Sequence, residues 1–310
     1  MTITKRNPII SIHESDIWNG YHKINELSES ERNRKFFYAE DFAVLYDQMI
    51  GLVVPQYTLM HNTALELLQF HFEQTINSSI EDMEGSILDI GCGTGDQTIA
   101  LMDTFPGMSV VGVDLCQSIL NIFANKIKAR NDILPRIQMV CGNIFGDACT
   151  APKLLEKISP NAENRRYRAA ISGLTLHHLT AEEKRKTYRR VFEALEPDGV
   201  FINADLFGYQ SVEFTEWNRE NHIKRFQKIF ANHNPGINSA MTKEICAELS
   251  IYWTDHYRRD NLLFPTGHEE DLLSKQHGHA TEIELLREAG FKQITVPYRY
   301  WLTGITVAKK

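Results

Sequence analysis

The run Ile87-Leu88-Asp89-Ile90 breaks straight into Gly91-Cys92-Gly93-Thr94-Gly95, and a helical pattern through Thr98, Ile99, Leu101 and Met102 follows until Pro106 stops it. An apolar strand feeding a glycine turn and then a helix is the opening of a βαβ unit. The glycines let the backbone turn tightly and approach a ligand, and the helix N-terminus offers amide donors without intrahelical partners. Working outward, the pattern repeats. Strands are expected at Ser109 to Val113 (ending on Asp114), Ile137 to Cys141, Ala169 to Leu174 and Val200 to Ala204, with a helix from about Ser118 to Lys128. Thr180 and Glu183 form a T-x-x-E capping box that opens another helix, which ends near Leu195 before the turn Pro197-Asp198-Gly199. Strands alternating with helices predict a parallel, doubly wound sheet, whose ligands bind at the carboxyl ends of the strands.

The flanks read differently. Residues 1–59 are polar with aromatic punctuation, including Trp18, Tyr46 and Tyr57, and are expected to form an N-terminal helical lid. A helix from Thr63 places Ala64, Leu68, Phe72 and Ile76 on one stripe and opens the core, residues 60–205. Residues 206–275 break the alternation and read as a helical insertion that caps an acceptor pocket. Residues 276–310 return to the core, with a helix from Thr281 to Ala289 closed by Gly290, then strands at Gln293 to Tyr298 and Gly304 to Val307.

Composition bounds the function. The 310 residues are 43% hydrophobic and 24% charged, enough to bury a core, and the net charge of -7 counts against a broad basic surface for nucleic acid. The basic runs Arg165-Arg166-Tyr167-Arg168 and Lys184-Arg185-Lys186 read as a solvated loop and a helix face. Five cysteines in no C-x-x-C pair argue against a disulfide framework or a zinc site, and the expected compartment is a reducing cytoplasm. His268, His277 and His279 complete no recognisable metal-ligand spacing, so no metal is expected. No apolar run reaches membrane-spanning length.

Three features of the turn choose its ligand. It lacks the third glycine of G-x-G-x-x-G, and Asp96 stands there instead, where a carboxylate would repel a pyrophosphate. Asp114 ends the next strand, placed to accept from ribose hydroxyls. The third strand runs into Gly142-Asn143-Ile144, where an adenine edge can be read. The expected ligand is a nucleoside that carries an ammonium group and no phosphate.

At this point the chain resembles the class I S-adenosylmethionine (SAM)-dependent methyltransferases, over roughly residues 85–207. The likeness rests on Ile87 to Gly95, Val110-Val111-Gly112-Val113-Asp114, Gly142-Asn143-Ile144 and Leu176-His177-His178-Leu179, with Ala289-Gly290-Phe291 near the end. It implies a Rossmann-like α/β fold with a seven-stranded mixed sheet and helices on both faces. It also implies SAM as cofactor, with Asp89, Gly91 and Gly93 shaping the methionine end, Asp114 on the ribose, Leu115, Asn143 and Ile144 at the adenine, and Cys92 and Gly173 also among the cofactor-binding residues. Asn143 stands where the family usually has aspartate, and its amide oxygen can still accept from the adenine amine. A narrower likeness, through Tyr46-Asp47-Gln48-Met49-Ile50, Val54-Pro55-Gln56-Tyr57 and the Trp301 to Ala308 end, is to the carboxy-SAM synthases. It implies that Tyr57 contacts the SAM tail and that Arg258 or Arg259 holds an extra carboxylate. Gly93 stands where that family has a serine, so the likeness is read as shared architecture.

Candidate proton acceptors are His177 and His178 after the fourth strand and Asp205 after the fifth; the competing readings are a buried structural histidine and a turn-forming aspartate. Tyr46, Trp253, His256, Tyr257, Arg258 and Arg259 are the expected substrate contacts, a guanidinium fork suiting a carboxylate acceptor, against ordinary lid packing and a surface charge cluster. Cys92 also reads as a small packed residue. The expected activity is methyl transfer to a small metabolite, such as a 2-oxo acid or amino acid. The alternatives are remodelling of SAM itself, an RNA methyltransferase, and a non-catalytic SAM-binding protein. The apolar insertion makes a homodimer the expected assembly.

Overall fold

The computed structural model describes residues 56–75, 83–142, 166–179, 181–208 and 278–310, with isolated positions at 47–54 and 213–224. Most of the expected lid and insertion therefore lies outside the described residues, although Glu213, Phe214, Trp217, Glu220, Asn221 and Lys224 are helical.

The described residues build a seven-stranded sheet in the order β3-β2-β1-β4-β5-β7-β6. Its strands are β1 Gly85–Ile90, β2 Met108–Asp114, β3 Ile137–Cys141, β4 Tyr167–Gly173, β5 Leu195–Leu206, β6 Gln293–Tyr300 and β7 Thr303–Lys309. The first five are parallel, and β7 inserts antiparallel between β5 and β6. The mixed sheet expected from the sequence is thus present. The chain runs outward from β1 to β3, then returns to lay β4 on the other side of β1. The order of strands reverses between β1 and β4, which is where a crevice opens above a doubly wound sheet.

The central strands read as nearly unbroken apolar runs because both faces are covered. Along β1, Ile87 faces one core with Ile171, Ile202 and Ile305, while Leu88 and Ile90 face another with Val111, Phe201 and Phe291. Helices α1 Tyr57–Thr75, α2 Asp96–Thr104 and α3 Gln117–Ile127 contribute to the first core: Met60, Ala64, Leu68 and Phe72 of α1 form a stripe at helical spacing and meet Leu101 and Phe105. Helices α4 Ala181–Ala194 and α5 His279–Ala289 cover the second, through Tyr188, Val191, Leu285 and Leu286. Gly290 ends α5 in a left-handed conformation, its amide closing onto the Leu286 and Arg287 carbonyls.

Two boundaries differ from the sequence expectation. Helix α1 begins at Tyr57, not Thr63, so Tyr57 belongs to the helix packed on the sheet. Strand β5 starts at Leu195 and contains the Pro197-Asp198-Gly199 turn, because Tyr167 pairs with Leu195 and Ala169 next pairs with Val200. The extra residues bulge out, with Asp198 left-handed at φ 63°. Thr180 of the expected capping box lies outside the described residues.

Candidate active site

Strand parity sorts the site. Asp89 and Gly173 share the face of Ile87 and Ile171, under α1 and α2, at the carboxyl ends of β1 and β4. Asp89 is 1% exposed; its Oδ2 accepts from Thr98 Oγ1 at 2.5 Å, and its Oδ1 has no partner among the described residues. Burial pushes its carboxyl up to about 7; the Thr98 hydroxyl opposes that shift and the nearby Asp114 charge adds to it.

The glycine turn is held from within. Gly91 N and Cys92 N both donate to Val113 O, and Gly93 N donates to Asp114 Oδ2 at 3.0 Å. These three amides are therefore engaged within the fold. Gly91 is left-handed at φ 70°, and a Cβ there would collide with Thr175, whose Oγ1 donates to Gly91 O and Gly173 O. Gly93 differs: the nearest atom to a Cβ there is Gly91 O at 3.9 Å, so its face is open. Asp114 also accepts from Cys116 N at 2.9 Å, and burial raises its carboxyl above the usual value although three backbone amides oppose that. The two oxygens of the Asp114 carboxylate together keep acceptor capacity beyond these amide bonds. Beside it Leu115 is 45% exposed, an apolar surface next to the carboxylate.

Cys92 points inward, its thiol pushed well up by burial and its Sγ 2.9 Å from where a Cβ on Gly112 would stand. That is the packed reading, and leaves only its backbone for a ligand. Asp96 forms an ion pair with Lys126 at 2.7 Å, and Lys126 also meets Asp47. Paired in this way, Asp96 repels a pyrophosphate less than a free carboxylate would, and the missing third glycine is the feature that sets the turn apart from a dinucleotide site.

Two residues that sequence reasoning missed complete this face. A Cβ on Gly173 would collide with Gln97 Oε1 and lie 3.6 Å from His61 Cε1. Gln97 Nε2 and His61 Nε2 are buried without partners among the described residues. Burial lowers the His61 imidazole to about 4, so it is neutral at neutral pH. The Tyr57 ring lies against His61, centroids 4.2 Å apart. The Tyr57-to-His61 spacing of four fits one helix face, but nothing in it marks His61 as facing Gly173.

His177 and Asp205 come together on the other face of the sheet. His177 Nδ1 is 2.5 Å from Asp205 Oδ1, Asp205 Oδ2 accepts from His177 N at 2.9 Å, and Asp205 is fully buried. Burial alone would raise the Asp205 carboxyl, but the His177 charge and hydrogen bond, Lys184 and the Leu206 amide together bring it below its usual value. The backbone of His178 completes the 3-10 turn Leu176–His178, and its side chain lies outside the described ones. Tyr46, Asn143, Ile144, Trp253, His256, Tyr257, Arg258 and Arg259 also lie outside the described residues. Among the described residues no cluster of His, Cys, Asp and Glu could hold a metal, and no helix is long and apolar enough to cross a membrane.

Comparison with known proteins finds methyltransferases that this geometry resembles. Residues 87–199 match a family described as a methyltransferase domain. The chain is 27% identical over 166 residues to an uncharacterized methyltransferase of Oceanobacillus iheyensis, an alignment that takes in 54% of this chain and 64% of that one. The chain thus spans just under two thirds of that relative's length. It is 21% identical over 286 residues to a carboxy-S-adenosyl-L-methionine synthase of Campylobacter hominis, covering 92% and 99% of the two chains. Among solved structures, the CurJ carbon methyltransferase shares the fold with a TM-score of 0.55 at 14% identity, over 96% of this chain and 67% of that one. These matches make residues 87–199 similar to a methyltransferase domain, and the resemblance implies SAM as the cofactor.

The residues fit that cofactor. The open face of Gly93 leaves a cradle beside Asp114 and the exposed Leu115, and the unpartnered Asp89 Oδ1 is an acceptor for an ammonium group.

Proposed function

We propose that the protein is a SAM-dependent methyltransferase acting on a small-molecule acceptor, a carboxylate-bearing metabolite such as a 2-oxo acid or amino acid. The observation that carries the reading is that, at the carboxyl end of β1, a buried carboxylate oxygen without a partner among the described residues stands beside an open glycine turn. Asp89 takes the ammonium of the methionine end, Asp114 the ribose hydroxyls, and Leu115 the adenine face. Bound there, SAM supplies an electrophilic methyl group on a sulfonium. The protein's part is then to hold the acceptor atom in line and exclude water.

Where the acceptor carries a proton, His177 removes it. Asp205 holds the imidazole through Nδ1, fixing the tautomer in which Nε2 is the basic nitrogen, and stabilises the imidazolium that forms. The acidic balance favours a small molecule over RNA. Incubation of the protein with methyl-labelled SAM and a fractionated metabolite extract tests the reading. Label in a small carboxylic acid is the expected outcome, with loss of about 10²-fold or more in rate on His177→Ala. Label only in RNA, or in nothing, contradicts it.

A second reading is remodelling of SAM itself, favoured by end-to-end similarity to the Campylobacter hominis protein. Mass spectrometry of the ligand carried through purification separates the two: a SAM derivative with one added carboxylate supports this second reading, and SAM or its demethylated product the first.

A further inference from the structure

Three buried polar atoms without partners among the described residues lie on one face of the sheet, beside the β1–β4 crevice: Asp89 Oδ1, Gln97 Nε2 and His61 Nε2. Unpaired buried groups are costly, and three in one place call for an occupant. Their placement follows from the fold. Asp89 ends β1, Gln97 stands in the first turn of α2 one residue before the Thr98 that binds Asp89, and His61 comes across from α1. Gln97 and His61 converge over Gly173, where any larger residue would collide with the Gln97 amide. With Oε1 over Gly173, the amide nitrogen is the end of Gln97 left to a ligand.

The three atoms are complementary in kind. Asp89 offers an acceptor, Gln97 a donor, and the neutral His61 ring donates whenever Nε2 carries its proton. An α-amino acid end needs that set: an acceptor for its ammonium and two donors for its carboxylate. We propose that Gln97 and His61 clamp the α-carboxylate of the cofactor's amino-acid end, with Asp89 holding its ammonium. This rests on SAM occupying the crevice, and assigns a binding role to two residues that the glycine-turn motif does not contain. The Tyr57 ring, tilted 39° against His61 with centroids 4.2 Å apart, positions the imidazole.

Titration calorimetry on the full chain tests the clamp with three probes that share one nucleoside and sulfur. S-adenosylhomocysteine has the whole amino-acid end, its decarboxylated analogue keeps only the ammonium, and 5′-methylthioadenosine has neither. Gln97→Leu and His61→Leu should each weaken S-adenosylhomocysteine by about tenfold, one good hydrogen bond to a charged group. Both should leave the other two probes within about twofold, since the missing contact is one they never make. Gln97→Glu keeps size and polarity and places a like charge against the carboxylate. It should lose S-adenosylhomocysteine selectively even if an apolar variant folds poorly. Equal weakening of all three probes, or of none, overturns the clamp and leaves SAM binding intact. A wild-type chain that binds none of the probes overturns the cofactor reading itself.

Discussion

Burial strips Asp89 of water, leaves Oδ1 without a partner among the described residues and pushes the carboxyl up to about 7. The folded group therefore holds its proton where the unfolded chain, titrating near 3.8, has lost it. Its cost to stability is absent below about pH 4, grows as pH rises toward 7 and is full above that, at most ~4 kcal/mol. Asp89→Asn should accordingly raise the melting temperature of the ligand-free protein at pH 8, with the gain shrinking toward pH 5. The same change should weaken S-adenosylhomocysteine, because the amide offers the ammonium a poorer partner. Calorimetric melting across that range checks the sign; a destabilised Asn variant at pH 8 would contradict it. At this scale the sequence showed what the turn itself contains: Asp89, Gly93 and Asp114 follow from a strand, a glycine turn and a second strand. It did not show His61 or Gln97, because their convergence over Gly173 depends on how α1 docks, and no local pattern encodes that.

The elements around the crevice are tied loop to loop. Thr175, just past β4, donates to Gly91 O in the turn after β1, and a side chain at Gly91 would strike it. Gly93, two residues on, faces open space. Two alanine substitutions should therefore part company. Gly91→Ala combines a left-handed backbone with overlap and should cost ~1–3 kcal/mol of stability along with affinity. Gly93→Ala should keep nearly all stability beyond the backbone strain and lose S-adenosylhomocysteine affinity disproportionately. Urea melts beside binding isotherms check the contrast, and equal behaviour of the two variants would refute it. Strand centres were legible because burial on both faces writes continuous apolar runs. The start of α1 was not, since Tyr57 reads as a lid residue and His61 precedes the helix expected from Thr63, until the helix is seen to begin at Tyr57. Nor was the start of β5, where turn chemistry at Pro197-Asp198-Gly199 survives as a bulge inside a strand.

Across the whole molecule, the C-terminal unit of α5, β6 and β7 is pinned to the parallel sheet by a buried polar knot. Glu282 on α5 accepts from Tyr188 Oη at 2.6 Å and Asn203 Nδ2 at 2.8 Å, and pairs with Lys184 Nζ at 3.4 Å, all four residues buried. The same two helices are also bridged at the surface by Arg185 and Glu288 at 2.7 Å. Glu282→Ala strands a buried ammonium and should cost about 3–5 kcal/mol. Glu288→Ala should cost under about 1 kcal/mol, being solvated. Chemical denaturation of both variants checks the ratio. The parallel core was readable from alternation alone, whereas this knot joins residues 98 positions apart and needed the structure.

The central claim is that the carboxyl ends of β1 and β2 hold a phosphate-free nucleoside with an amino-acid tail. Titration calorimetry of the wild-type chain and of Asp114→Ala with S-adenosylhomocysteine and with NAD tests it most directly. The account predicts S-adenosylhomocysteine binding to wild type, no heat with NAD, and marked weakening in the variant. NAD binding without S-adenosylhomocysteine binding, or an Asp114→Ala affinity equal to wild type, would contradict it.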